Sequence, residues 1–216
     1  MKSLFEIYDP YTYYLNLSLN WLMMFFFLVF LFMNYWLLIN NYLFIYMKLM
    51  IILFNEFKLF YNNMKIMKGS ILLFLSLFFY ILLINLMGLM PYVFSISSHL
   101  IFSLSLSLTF WLSFMFFGWL NFTNKMFSHL IPLGTPLMLI FLMVMIETIS
   151  NMIRPISLSV RLMSNMISGH LLMSLLGSCS SSMFFFQLLL FLFEFFVCFI
   201  QAYVFSSLLT LYFSEI

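Results

Sequence analysis

Long uncharged stretches of apolar residues dominate the chain and recur often enough to cross a membrane several times. A helix needs about 20 mostly apolar residues to span the hydrocarbon core of a bilayer. The pattern predicts five such spans, over residues 15–39, 71–90, 100–120, 137–176 and 183–213. The sequence therefore predicts an all-α integral membrane protein with one membrane domain over residues 1–216.

Residues 40–70, between the first two spans, follow a different pattern. Charged residues are scattered among apolar ones at helical spacing: Lys48, Glu56, Lys58, Lys65 and Lys68. Crossing the bilayer here would bury at least one charge, at a cost of about 2.5–3.5 kcal/mol. The segment is therefore predicted to form an amphipathic helix on the membrane surface. A simple connecting loop is the alternative.

The last two spans are too long for simple crossings. A helix of about 39 residues over the fourth span would measure about 58 Å, against a hydrocarbon core of about 30 Å. Pro155 lies inside this span and lacks a backbone donor, so a local bend is expected. Two consecutive overlong helices predict a slanted hairpin pressed against a curved surface.

The predicted hairpin also gives a register between its two helices. With the turn near Cys179 and Ser180, antiparallel pairing sets Asn165 level with Glu194. His170 and Glu194 would then be offset by about 8 Å along the helix axes, close enough for a water-linked pair.

Composition excludes several classes of protein. Apolar residues make up 66% of the chain and charged residues 6%, whereas a soluble domain has about 25% charged residues. A soluble enzyme and a nucleic-acid partner are therefore excluded. Phe, Met and Tyr are abundant while Ala202 is the only alanine, a bias toward A/T-rich codons that predicts an organellar gene. The two cysteines match no metal or redox spacing, so no metal and no cofactor are predicted.

Lysine placement predicts the orientation. Five spans place the termini on opposite sides. The loop after the first span carries four Lys and the loop after the third carries Lys125, whereas Lys2 stands alone on the other side. The positive-inside bias therefore puts the N-terminus outside and the C-terminus inside. In a mitochondrial inner membrane these sides are the intermembrane space and the matrix.

Polar side chains are concentrated in the last two spans, whereas the first three contain no charged residue. The principal ones are Glu147, Arg154, Arg161, Asn165, His170, Glu194 and Gln201. An ionisable group inside a membrane is a functional candidate by default. Glu147 and Arg154 have an alternative reading as a structural ion pair, and His170 as a helix-terminal hydrogen-bonding residue. Arg161 has no acid within four residues, so it needs a partner across an interface.

Several motifs in these spans resemble a known family. Arg154-Pro155, followed by Leu158-Ser-Val-Arg161-Leu, Asn165 and Gly169-His170-Leu-Leu, is similar to the signature of subunit a of the F-type ATP synthase in its mitochondrial form. Further matching segments stand in family order: Ile146 to Ser150, Asn85 to Tyr92, His129 to Pro136 and Gln201-Ala-Tyr203-Val-Phe205. The resemblance covers essentially the whole chain, although the first 70 residues match only in layout.

The resemblance implies a set of proton-translocating residues: Arg161, Glu194, His170, Asn165, Gln201 and Glu147, with Arg154 and Tyr203 as secondary candidates. In this reading Arg161 faces the carboxylates of a rotating ring of c subunits. His170 and Glu194 line the inlet half-channel, with Asn165 and Gln201 as polar neighbours. Glu147 belongs to the outlet path on the matrix side. The long tilted hairpin would follow the curve of the ring.

The resemblance further implies partners: the c-subunit ring, other F0 and peripheral-stalk subunits, membrane lipid and protons. No catalytic residue is predicted, because the chain has no Gly-rich phosphate loop. Two alternatives stay open on the residues alone. A membrane subunit of another respiratory-chain complex with haem or copper would need paired histidines, and His99, His129 and His170 are far apart in sequence. An independent channel or transporter would be expected to show internal repeats.

Overall fold

The computed structural model describes residues 5–12, 16–25, 41–60, 68–131, 136–179 and 181–215. All regular structure in these ranges is helical, which confirms the predicted all-α membrane fold. Besides short 3-10 turns, the helices are α1 (Asn41–Phe60), α2 (Lys68–Gly88), α3 (Leu100–Asn121), α4 (Thr123–His129), α5 (Ile140–Ser178) and α6 (Phe184–Glu215).

Four of these helices are long and apolar enough to cross a membrane, namely α2, α3, α5 and α6. The predicted span over residues 15–39 lies largely outside the described residues. Its described beginning forms a 3-10 turn, Leu19–Leu22, that continues as helix to Phe25. The fourth span is one continuous helix of 39 residues with Pro155 inside it.

Helix α2 forms the centre of the bundle. It is apolar around most of its circumference, as is typical of a helix that is largely surrounded by others or by lipid. Of its spanning window 61% is buried, against 6% for α5. Phe213 of α6 joins three helices through its ring, whose centroid lies 6.1 Å from that of Phe74, 5.1 Å from Phe114 and 6.0 Å from Phe117. The long helix α5 is therefore peripheral and leaves most of its surface uncovered.

Serine is the small residue at the buried helix contacts. Among the described residues of the α-helices, four serines are at most 1% exposed: Ser103, Ser107, Ser159 and Ser206. Each hydroxyl donates to a carbonyl three residues earlier in its own helix, as Ser159 does to Ile156 at 2.8 Å. These hydroxyls are thus satisfied without a partner on a neighbouring helix.

Helix α1 packs on α2 and α6 along a single stripe: Tyr46, Met50, Leu53, Phe57 and Phe60. Phe57 is fully buried, and the Tyr46 ring lies 5.2 Å from that of Phe79. Lys48 and Lys58 are exposed. The segment is therefore helical over its described part, with one face on the bundle. Its position relative to a membrane stays a prediction.

The bundle has a Gly88 end and a Glu147 end. At the Gly88 end, α2 ends, α3 begins and α5 turns into α6. At the Glu147 end, α2 and α5 begin and α3 and α6 end.

Candidate functional site

The two long helices pair in a register that differs from the predicted one. A Cβ at Gly169 would lie 2.6 Å from the carboxyl carbon of Glu194. One turn further toward the Glu147 end, the Cys198 sulfur lies 3.8 Å from the Met166 sulfur. Glu194 is therefore level with Gly169 rather than with Asn165, and the predicted register is wrong by about one turn.

The turn between the helices explains this difference. Helix α5 continues to Ser178, and a 3-10 turn over Ser181–Met183 precedes α6, so the centre of the connection lies beyond residue 180. The shift places His170 level with Glu194, without the predicted offset. It also sets Arg161 level with the part of α6 near Tyr203.

Glu194 and His170 lie together at the Gly88 end. The Glu194 side chain is buried, in a space that exists because Gly169 carries no Cβ. The His170 imidazole hydrogen-bonds the backbone of Gly88, while its Nε2 atom is buried and has no partner among the described residues. In the described part of the chain no hydrogen bond joins His170 to Glu194. The structure thus brings the predicted pair to one level of the hairpin.

Further buried polar atoms gather at the same end. Within the described ranges the side-chain atoms without a hydrogen-bond partner are Asn85 Oδ1, Ser97 Oγ, His99 Nε2 and His170 Nε2. An unsatisfied buried polar group costs about 1–3 kcal/mol, and buried water normally satisfies it. These atoms form one group of buried polar side chains at the Gly88 end. Sequence reasoning did not assign Asn85 or Ser97 to the site, although Asn85 begins one of the matching motifs.

Arg161 lies near the middle of α5 on its exposed face. Its neighbours on this face, three and four residues away, are small or polar, including Ser157, Ser164 and Asn165. Among the described residues no acid forms an ion pair with it. A guanidinium is always charged and needs a countercharge when it leaves water. The described residues of this chain therefore supply no countercharge for Arg161.

Arg154 has a different environment at the Glu147 end. Its guanidinium lies 3.6 Å from the Glu147 carboxylate and 4.9 Å from the centroid of the Tyr212 ring. The ion pair that the sequence left as an alternative is present. Arg154 is thus held by its own chain, in contrast to Arg161.

A cavity of about 100 Å³ opens beside this ion pair, lined by residues that include His129, Glu147, Asn151, Arg154 and Tyr212. A water molecule takes about 30 Å³ of liquid volume, so the cavity has room for a few. Pro155 cannot donate to the carbonyl of Asn151, which leaves an acceptor on a residue lining the cavity. The Glu147 end therefore has a cavity in which these five polar side chains face a lining of six apolar ones.

The other predicted residues lie away from both polar groups. Asn165 and Gln201 are partly exposed on facing helices, and no hydrogen bond joins them in the described ranges. The Tyr203 hydroxyl hydrogen-bonds Glu56 of α1. The structure thus has polar groups at both ends of the hairpin and an exposed arginine between them.

Comparison with known proteins gives one consistent result. The family model described as ATP synthase A chain matches residues 17–214. ATP synthase subunit a of Aedes aegypti is 46% identical over 225 aligned residues, covering 100% of this chain and 99% of that protein. The Locusta migratoria protein of the same name is 46% identical, also over 100% and 99%. ATP synthase F(0) complex subunit a of Rhopalosiphum padi is 44% identical over 99% of each chain.

Proposed function

Because this chain belongs to the ATP synthase A chain family, we propose that it carries protons through two aqueous half-channels in a mitochondrial ATP synthase. The family provides a non-catalytic subunit of the F0 membrane sector, which associates with other F0 subunits. Membership sets aside the alternative of another respiratory-chain complex. The observation that carries the proposal is the exposed Arg161, which pairs with no acid among the described residues and lies between separate polar regions at the two ends of the hairpin.

The inlet half-channel is at the Gly88 end, which faces the intermembrane space. Protons pass Glu194 and His170 through water that also satisfies Asn85 and Ser97. They then protonate a carboxylate on the c-subunit ring. A neutral carboxylic acid tolerates lipid whereas a carboxylate does not, so protonation permits the ring to rotate.

Arg161 separates the two half-channels. It does not relay protons, because a guanidinium keeps its charge at any physiological pH. Its positive charge favours the deprotonated form of a ring carboxylate that arrives beside it. It also repels protons moving directly between the half-channels. Its exposure on α5 supports this role, because the ring carboxylates must reach it from outside the chain.

The outlet half-channel is at the Glu147 end, which faces the matrix. The cavity beside Glu147 and Asn151 supplies the polar surface that a leaving proton needs. Each charge that crosses gains about 2.3 kcal/mol per 100 mV of membrane potential. The predicted orientation in the inner membrane, with its lysine-rich loops in the matrix, agrees with this direction.

Glu194→Gln tests the inlet half-channel. We expect ATP synthesis driven by an imposed proton gradient to fall by about tenfold or more, because a positioned acid–base group contributes about 10²–10⁴ to a proton-transfer rate. Hydrolysis of ATP by the soluble sector should not change. Glu194→Asp is the matched control, since it keeps a carboxylate and should retain more activity. Synthesis at the normal rate in Glu194→Gln would refute the inlet assignment.

The placement of α1 on the matrix surface is tested by cysteine labelling. Leu59 is 71% exposed and lies next to Lys58, so Leu59→Cys should react with a membrane-impermeant thiol reagent from the matrix side only. The native Cys179 is exposed at the opposite end and serves as the control, because it should react from the other side. Labelling of Leu59→Cys from the intermembrane side alone would contradict the placement.

A further inference from the structure

An N-terminal turn lies against the inlet end of the long helix. Glu6–Tyr8 forms a short 3-10 turn, and the Tyr8 hydroxyl donates to the carbonyl of Ile167 at 3.2 Å. The Tyr8 ring meets the His170 imidazole edge-on, with 6.4 Å between centroids. Tyr8 is thus in contact with the helix that carries His170, from far away in the sequence.

Tyr8 also contacts a second histidine, His99. The His99 imidazole hydrogen-bonds the backbone of Tyr8. The Tyr8 N–H already donates to the carbonyl of Phe5 at 3.1 Å, so His99 donates to the remaining group, the Tyr8 carbonyl. The rings of Trp21 and Phe94 enclose the imidazole, with centroids 5.2 and 5.1 Å away.

His99 and His170 therefore present the same chemistry. One ring nitrogen of His99 bonds the backbone of Tyr8, and one of His170 bonds the backbone of Gly88. In both rings Nε2 is buried and has no partner in the part of the chain that the structure describes. Since Nδ1 carries the proton in this arrangement, Nε2 is the free acceptor in both rings. Burial lowers the pKa of His99, which keeps its resting ring neutral, while the bond to Tyr8 opposes this shift.

We propose that His99 is the outermost proton carrier of the inlet path and that Tyr8 positions it. This inference rests on the proposed function, in which protons enter past Glu194 and His170. The Nε2 atom of His99 takes a proton from water at the intermembrane side and the ring becomes an imidazolium. The same N–H bond then releases its proton to water leading toward His170, and the ring returns to neutral. The bond from Nδ1 to Tyr8 persists throughout, so the ring need not turn.

His99→Ala in the intact, membrane-bound complex tests the inference by chemical rescue. We expect gradient-driven ATP synthesis per assembled complex to fall by about tenfold. Added imidazole should restore much of the rate, whereas pyrazole, a ring of equal size but far weaker basicity, should not. The unsubstituted complex in the same solutions corrects for any effect of either compound on the gradient. An unchanged rate, or equal rescue by both rings, would overturn the proposal, because equal rescue indicates packing alone.

If the His99→Ala complex does not assemble, a second variant still tests the proposal. His99→Asn keeps an N–H for the Tyr8 carbonyl but has no titratable nitrogen, so it should assemble and still be slow. A normal rate in His99→Asn overturns the proposal. Glu194→Gln, measured in the same experiment, distinguishes a failure of the His99 proposal from a failure of the proposed inlet half-channel. If only Glu194→Gln is slow, His99 has no role and the inlet assignment stands. If neither is slow, the inlet assignment fails as well.

Discussion

Arg161→Lys is expected to abolish ATP synthesis driven by a proton gradient. Arginine spreads a permanent charge over a planar fork of five donors, whereas a desolvated lysine readily loses its proton. Arg161 has no acid of its own among the described residues to hold a lysine charged. A neutral lysine would remove both the attraction for the ring carboxylate and the barrier between the half-channels.

Two further variants make this result specific. Arg161→Ala should show passive proton leakage in addition to lost synthesis, because the positive barrier is absent. Arg154→Lys is the matched control and should be milder, since Glu147 and the Tyr212 ring stabilise a cation there. Vesicles with each variant can be compared for proton permeability and for synthesis under one imposed gradient. Normal synthesis in Arg161→Lys, or a larger loss in Arg154→Lys, would refute the assignment of the central charge.

Gly169→Ala is expected to reduce gradient-driven synthesis by about tenfold to a hundredfold. The added Cβ would lie 2.6 Å from both Cδ and Oε2 of Glu194, so the carboxylate or the helix must move. A displacement of about 1 Å in a reacting group can cost about 10²-fold in rate. This variant changes no proposed proton carrier. A loss of synthesis would therefore result from a change in the positions of these groups and not from a change in their chemistry.

Gly177→Ala is the matched control in the same helix. Its Cβ would meet only the Gln187 amide nitrogen at 3.6 Å, an ordinary contact, so nearly normal synthesis is expected. The amount of assembled complex should be measured for both variants, which normalises the rates. If Gly169→Ala is as active as Gly177→Ala, Glu194 does not pack against residue 169 in the working complex.

The helices and the candidate residues were predictable because their signals are local. Uncharged apolar runs predict the spanning helices, and the spacing of Glu147 and Arg154 already allowed the ion pair. Arg161 was identifiable because no acid lies near it in sequence. These inferences need only helical geometry and the cost of a charge in an apolar environment.

The hairpin register and the surroundings of the inlet residues were not predictable, because they depend on contacts between segments that are distant in sequence. The hairpin register depends on where the 3-10 turn at Ser181–Met183 falls, and the run of serines there marks a turn without fixing its centre to the residue. The contacts of Tyr8 with His99 and His170 join segments more than 90 residues apart. The spacing of apolar residues within a helix cannot predict contacts between such distant segments. Asn85 acquires its place in the path only through the packing of α2 on the hairpin.

The self-bonded serines of the buried contacts have a consequence for sequence divergence. Because each hydroxyl is satisfied inside its own helix, exchange of serine and alanine at Ser103, Ser107, Ser159 or Ser206 changes little beyond one oxygen atom. Both residues are small enough for close helix approach. The scarcity of alanine is thus permitted by the fold without being required by it. Nucleotide-level drift can therefore exchange the two residues at these four positions without loss of the helix contacts.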